Sequence, residues 1–392
     1  MQALALFAES RCAPILEASL TRDPNATVRA QALASLGQFL EVPELLDRLV
    51  VALRDPADEV WIQAAHTLNG LNPDDVRPHR ERVIELLETE NDELQKAACK
   101  LLSKCYQRDW RTLADRLMGT EKSTSLRGLI QTLSLIGDPQ IGVLFLPILD
   151  HQEGHIRELA AEQLYHVGSR LSRESLVRYL EDPNERVRTA IVRCLGKQMG
   201  AEIVTPLVER MLDPSPLVRQ EVAAAFGRAN DLEDERPVQV LTKMAKDGSV
   251  LVRAQALASL IRLGVTGQRK IFEEACRDLD EADLVALRAR LNKDGTLYQM
   301  LEIMRTDRGA QKRADAVYFL AQADLERYAP DIALALQDPA SVVRIEAIEA
   351  LGQHEDPGIQ KAIEALGSDP VDAVRGAVQR RRLRPLWPRK QA

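Results

Sequence analysis

Histidines, cysteines and paired carboxylates carry most protein chemistry, and few of them stand here in useful spacings. His151, Glu153 and His155 form the run His-Gln-Glu-Gly-His. Two histidines four apart on a helix share one face and can grip a metal. Gly154 weakens a helix at that point, and the segment falls in a turn. The glutamate also does not directly follow the first histidine, as the zinc-protease order requires. The expectation is a solvated turn, with no metal and no cofactor. Cys12, Cys99, Cys105, Cys194 and Cys276 are scattered and odd in number. That usage suits a reducing, cytoplasmic setting better than a disulfide framework. Cys99 and Cys105 lie too far apart along one expected helix for an easy bridge. No Gly-rich phosphate loop, Gly-x-Ser-x-Gly elbow or paired Cys-x-x-Cys occurs. The common catalytic classes are therefore weakened.

Composition narrows the field further. The 392 residues carry 52 basic and 59 acidic side chains, a net charge of −7. Hydrophobic residues make up 45% and aromatics only 4%, so Ala, Leu and Val bear the apolar load. Such a chain has too much aliphatic surface to stay disordered. No apolar run reaches the ~18–20 residues of a membrane helix. An acidic, aromatic-poor total gives no general case for DNA binding.

What must position any site is a repeat. Val28-Arg-Ala-Gln-Ala-Leu-Ala-Ser-Leu36 recurs unchanged at Val252–Leu260. A looser phrase runs Asp-Pro, Val-Arg, Ala four later and Leu eight later, often followed by Gly. It stands at Asp23…Gly37, Asp182…Gly196, Asp213…Gly227 and Asp338…Gly352, and opens again at Asp369-Pro370…Val374-Arg375. Weaker copies fill the gaps, and one degenerate copy is expected near Leu284–Leu291. The total is about twelve units of ~31 residues, a period typical of stacked repeats.

Each unit reads as two helices. Leu45, Leu46, Leu49, Val50 and Leu53 follow helical spacing over 43–53. Pro43 suits a first turn, where its missing N–H would be unpaired anyway. Asp-Pro then breaks the chain, because proline disfavours helix at the preceding residue, and Asp caps the next start. Val, Ala and Leu at i, i+4 and i+8 form the stripe of the second helix. The closing glycine is expected to take a left-handed C-terminal cap. One hairpin cannot bury its stripe alone, and stacked neighbours can. The start, Met1–Ser10, reads as a first helix and not as a leader.

These phrases resemble HEAT repeats over about residues 12–382, and their short period resembles the phycobilisome-lyase subtype. The resemblance implies an all-α, right-handed α-solenoid spanning 1–392 as a single body, with a basic tail at 383–392. It also implies that the recurring arginines form a structural ladder with the repeat aspartates, expected as Asp182 with Arg188, Asp213 with Arg219 and Asp338 with Arg344. Planar guanidinium groups suit such bidentate pairing. HEAT-repeat iron hydroxylases use several His-Glu pairs, whereas His354-Glu355 stands alone here. HEAT-like alkylpurine glycosylases use tryptophans and an Asp in a basic groove. Trp61, Tyr106, Trp110 and Asp115 invite that comparison, but the net charge opposes it, and packing or a protein contact is expected of the aromatics.

In this architecture second helices line the concave face, and positions two and six past the repeat Val should point outward. Trp61, Ile62, His66, Lys96, Lys100, Arg193, Tyr318 and Ile345 are the candidate contact residues on that face. Their mixture of apolar anchors and both charge signs suits a protein partner. The expected function is a non-catalytic protein-binding scaffold. A bilin lyase, with Trp61, His66, Lys96 and Lys100 lining a chromophore pocket, is the enzymatic alternative, and nucleic-acid binding is the third. The basic run Arg380–Lys390 could touch an acidic partner.

Overall fold

The computed structural model describes residues 12–38, 40–52, 54–167, 171–229, 234–265, 268–293 and 295–381. These residues form helices joined by short turns, with no strand among them. The Met1–Ser10 helix and the 383–392 tail lie outside the described residues. So does Leu53, at the end of the helix observed at Val42–Ala52. The chain divides into two compact units, Met1–Cys194 and Leu195–Ala392. Each is an all-α stack of hairpins, the solenoid construction the repeats require.

The local grammar follows from the sequence. First helices such as Ala201–Glu209 tighten into a final 3-10 turn, here Arg210–Leu212. Such a turn satisfies terminal carbonyls within a shorter span. Asp213 then turns extended (φ −54°, ψ 138°) ahead of Pro214. Its carboxylate accepts the backbone N–H of Ser215 at 2.9 Å, an Asx turn that launches the second helix. Asp55, Asp182, Asp247, Asp338 and Asp369 do the same to the residue two further on. The long stretch Ala310–Leu334 is two such helices meeting at a kink at Asp324 (φ −163°, ψ 82°).

The core is a line of stripes. Leu45, Leu46 and Leu49 are buried on a first helix, and Val60, Ala64 and Leu68 on the following second helix. Second helices pack side by side, Ala26–Leu36 against Asp58–Gly70 and Asp58–Gly70 against Asp92–Cys105. Each fully buried Leu contributes about 1.5–3 kcal/mol. Stability therefore accumulates repeat by repeat.

The expected left-handed glycine cap closes the second helix Ser123–Ile136, at Gly137 (φ 73°), but other closing glycines serve a different purpose. Gly37, Gly227 and Gly352 keep right-handed φ values of −60°, −64° and −56°. They answer to close packing: a Cβ on Gly227 would sit 2.5 Å from Ser259 Oγ, and one on Gly196 would sit 2.6 Å from Ala225 Cβ. The next second helix occupies the space a side chain would need. Among the described residues left-handed glycines occur at Gly137, Gly264 and Gly295.

The degenerate repeat expected near Leu284–Leu291 is present, as helix Glu281–Lys293 with Leu287 and Leu291 buried. Its first helix, Gln268–Cys276, departs from the pattern. It touches both Val250–Arg262 and Ala310–Leu334, with the Phe272 and Phe319 rings 4.4 Å apart. Ala254, Ala258 and Ala314 stand at positions expected to face outward, yet they are buried.

Candidate functional site

The ladder is the most regular polar feature, and its pairing differs from the expected one. Arg188 Nη1 donates to the backbone carbonyl of Asp182 at 2.8 Å, six residues upstream, and not to its carboxylate. Arg219 likewise reaches the Asp213 carbonyl, and Arg344 the Asp338 carbonyl, both at 2.8 Å. The carboxylate comes from the following repeat. Arg157 grips Asp182 through Nε and Nη2 at 2.8 and 3.0 Å. Arg29 grips Asp55, Arg219 grips Asp247, Arg313 grips Asp338 and Arg344 grips Asp369 in the same way. The guanidinium starts in the first turn of a second helix. From there its own turn's carbonyl and the next turn's carboxylate are both within reach. Each rung thus ties two successive turns together. The arginines hold Asp55, Asp247, Asp338 and Asp369 below the ordinary carboxylate range.

Of the candidate contact residues, Trp61, Ile62, His66, Lys96, Lys100 and Arg193 belong to the Met1–Cys194 unit. Ile62 is 49% exposed. His66, Lys96 and Lys100 are exposed as well, and Trp61 and Arg193 are half-buried. Ile62 and His66 lie one turn apart on Asp58–Gly70, and Lys96 and Lys100 one turn apart on the neighbouring Asp92–Cys105. Lys96 pairs with Glu93 at 2.9 Å. Trp61 stands where the ladder arginine would be, and its indole Nε1 is buried with no hydrogen-bond partner among the described residues.

Tyr318 and Ile345 belong to the other unit and are half-buried. Tyr318 is engaged internally. Its ring meets Phe272 edge-on at 6.5 Å, and the Arg269 guanidinium lies over it at 4.2 Å. Arg269 also donates to Glu346 at 2.7 Å and to Glu273 at 3.1 Å. Burial pushes the Glu346 carboxyl up to about 7 despite Arg269, with Glu349 and Asp315 adding to the rise. The cavity beside Tyr318, lined by Phe272, Cys276, Leu287 and Arg288, measures about 20 Å³. That is room for one water.

The aromatics that interrupt the repeat are structural. Tyr106 is fully buried, and its hydroxyl donates to Glu81 at 2.6 Å. Arg116 holds the same carboxylate. Trp110 donates its Nε1–H to Asp138 at 3.1 Å, while Asp115 is exposed.

His151 carries a role that its motif hid. It occupies the ladder's aspartate position, five before Ile156. Its Nδ1 accepts the Glu153 N–H at 3.1 Å, as an aspartate oxygen does elsewhere, and its carbonyl accepts from Arg157 at 2.9 Å. His155 meets Glu153 at 3.2 Å. Thr89 and Gln95 are similar stand-ins. Thr89 Oγ1 accepts from Asn91 N–H at 3.1 Å, and the Gln95 amide donates to Leu87 O at 2.7 Å. Counting offsets from the repeat Val, rather than searching for metal spacings, finds all of them. Among the described residues no group of three or more His, Cys, Asp or Glu is placed to hold a metal. No described helix is long and apolar enough to cross a membrane.

The family model for HEAT repeats matches residues 2–79, 142–227 and 298–380. No curated protein matches. Among solved structures, an engineered protein is 16% identical over 94% of this chain and 97% of its own, with a TM-score of 0.39. Kap95p, in a structure with RanGDP, is 14% identical over 97% of this chain and 68% of its own, with a TM-score of 0.43. Kap121p, bound to the extreme C-terminus of the phosphatase Cdc14p, is 14% identical with a TM-score of 0.44. That match covers 95% of this chain and 45% of the Kap121p chain.

Proposed function

The chain belongs to the HEAT-repeat family, and on that premise we propose that it is a non-catalytic, cytoplasmic protein-binding scaffold. The observation that carries this reading is the outer face of two adjacent second helices. There Ile62, 49% exposed, stands with His66 beside Lys96 and Lys100, while the inner faces of both helices are committed to the core. A few apolar anchors framed by charge are the usual energetic centre of a protein contact. The partner is another protein that offers an apolar side chain flanked by carboxylates. Arg193 is a further candidate contact residue of the same unit, Ile345 and the basic run Arg380–Lys390 are candidate contacts of the other unit, and no DNA takes part. Free thiols at Cys12, Cys99, Cys105, Cys194 and Cys276 suit a reducing compartment.

The test is comparative capture from source lysate with the wild type and an Ile62→Asp, Lys100→Glu variant, with mass spectrometry and an absorbance scan of each eluate. Stoichiometric protein bound by the wild type and lost by the equally stable variant supports the scaffold. A coloured eluate, or capture of a pigment-bearing subunit, overturns it in favour of the lyase.

A further inference from the structure

In the Met1–Cys194 unit the ladder is complete at Arg29–Asp55 and again at Arg157–Asp182. Between these rungs the donor and acceptor positions hold Trp61 and Thr89, Gln95 and Glu121, and Arg127 and His151. Thr89 and His151 preserve their turns through Oγ1 and Nδ1. Neither offers the two carboxylate oxygens that a guanidinium needs. Trp61 Nε1 and Arg127 Nε are buried without a hydrogen-bond partner among the described residues. Arg127 turns instead to Asp92, on the preceding second helix, at 3.1 Å. Gln95 makes only a neutral link, donating to Thr124 O at 3.1 Å, and the further links on this edge, Lys122 with Glu88 at 2.8 Å and Ser123 with Glu153 at 2.6 Å, are single exposed contacts.

The opposite edge, where each second helix leads into the next first helix, is bound more heavily over this stretch. Tyr106 and Arg116 both hold Glu81. Arg80 covers the Tyr106 ring at 4.3 Å and pairs with Asp109 at 3.0 Å. Trp110 holds Asp138, and Arg111 donates to Gln140 at 3.0 Å. In the Leu195–Ala392 unit, by contrast, Arg253 departs from the pattern but stays bound. Its buried guanidinium donates to Asp247 O and to Ala275 O, the latter at 2.7 Å.

We propose that the repeats between residues 61 and 151 form a hinge that opens along the turn edge and pivots on the edge pinned by Tyr106 and Trp110. Bidentate charge-assisted pairs are the strong, geometry-fixing hydrogen bonds of the ladder. Where they are missing on one side only, successive hairpins keep their apolar contact but are restrained in tilt on that side only by single, exposed or neutral links. Openings of low free energy concentrate in such places. The hinge is independent of whether the second-helix face binds a protein.

Amide exchange on the full chain tests it. Amides 94–98 and 126–130, in the first turns of second helices inside the gap, should exchange at least tenfold faster than 157–161, which lie beside a complete rung. Trp61→Arg with Thr89→Asp builds one rung, and His151→Asp, which keeps a turn acceptor, builds another. Each should slow exchange across its interface at least threefold, whereas Trp61→Arg alone should not. If the double variant does not fold, the single His151→Asp change carries the test. Nitroxides at Arg54 and Gln152, with Cys12 replaced by Ser, should give a broad distance distribution that narrows when the rungs are built. Equal exchange at all three segments, or rungs that change neither exchange nor distances in folded protein, would overturn the hinge.

Discussion

The ladder makes a quantitative claim that one rung can test. Arg219 grips Asp247 through Nε and Nη2 at 2.7 and 2.8 Å, with the side chains 18% and 11% exposed. Truncating either partner leaves the other charged and largely out of water, so Arg219→Ala and Asp247→Ala should each cost about 2–3 kcal/mol. The arginine change should cost more, by about 1 kcal/mol, because it also removes donors from Asp213 O and Pro214 O. The double variant should cost far less than the sum, with a coupling of about 2 kcal/mol. The exposed Arg48–Glu17 pair, 33% and 35% exposed, serves as reference and should couple by no more than about 0.5 kcal/mol. Urea titration followed by far-UV circular dichroism is the assay, with m-values compared so that lost cooperativity is not read as energy. Burial alone would raise the Asp247 pKa, but Arg219, the Ser249 amide and Arg253 together depress it. The rung's contribution is therefore full above the unfolded carboxylate pKa of about 3.9 and lost as pH falls through the depressed folded value. The double variant should lack that acid-side dependence. A coupling below about 0.5 kcal/mol at pH 7 would refute the claim that the ladder clamps successive repeats.

Other expectations follow from the same geometry. Gly227→Ala should destabilise by about 1–3 kcal/mol through overpacking against Ser259. Gly367→Ala, with open space around it, should be neutral or stabilising by about 0.5 kcal/mol; thermal melts of the two variants separate packing from backbone effects. Glu346→Gln should raise stability at pH 8 by up to about 3 kcal/mol, because a carboxyl lifted to about 7 loses its folded-state proton preference as pH rises from ~4.3; a variant no more stable than wild type at pH 8 would count against the burial argument. Ile62→Ala should change stability by less than about 0.5 kcal/mol, since its side chain is half in water, while weakening capture of the protein partner.

Much of this architecture is legible in the bare chain. The Asp-Pro breaks, the Val-Ala-Leu stripes and the period of ~31 residues are local signals. Helix caps and apolar periodicity act within one hairpin, so one hairpin's sequence is enough to read them. The degenerate copy at Glu281–Lys293 could be placed by arithmetic alone, because a stack cannot skip a unit without exposing a stripe. The candidate contact residues were only partly legible. Ile62, His66, Lys96 and Lys100 face outward as their offsets require. Tyr318 sits at the same offset but is enclosed by Phe272 and Arg269.

What the sequence by itself determined is therefore the hairpin: where each helix starts, which stripe it buries, and that only stacking can cover it. What the tertiary structure decided is how one hairpin meets the next. The arginine that looks upstream along the chain to its own aspartate takes that residue's carbonyl, and it finds its carboxylate in the following turn. The glycine that looks like a left-handed cap is small because the neighbouring helix presses on it. His151 looks like half of a metal site and is a turn acceptor in a ladder position. For the arginine and the glycine the deciding partner lies in the next repeat, 25 residues on for Arg157 and 28 for Arg219. Its distance in space is set by side-to-side packing of repeats, and no local propensity encodes that.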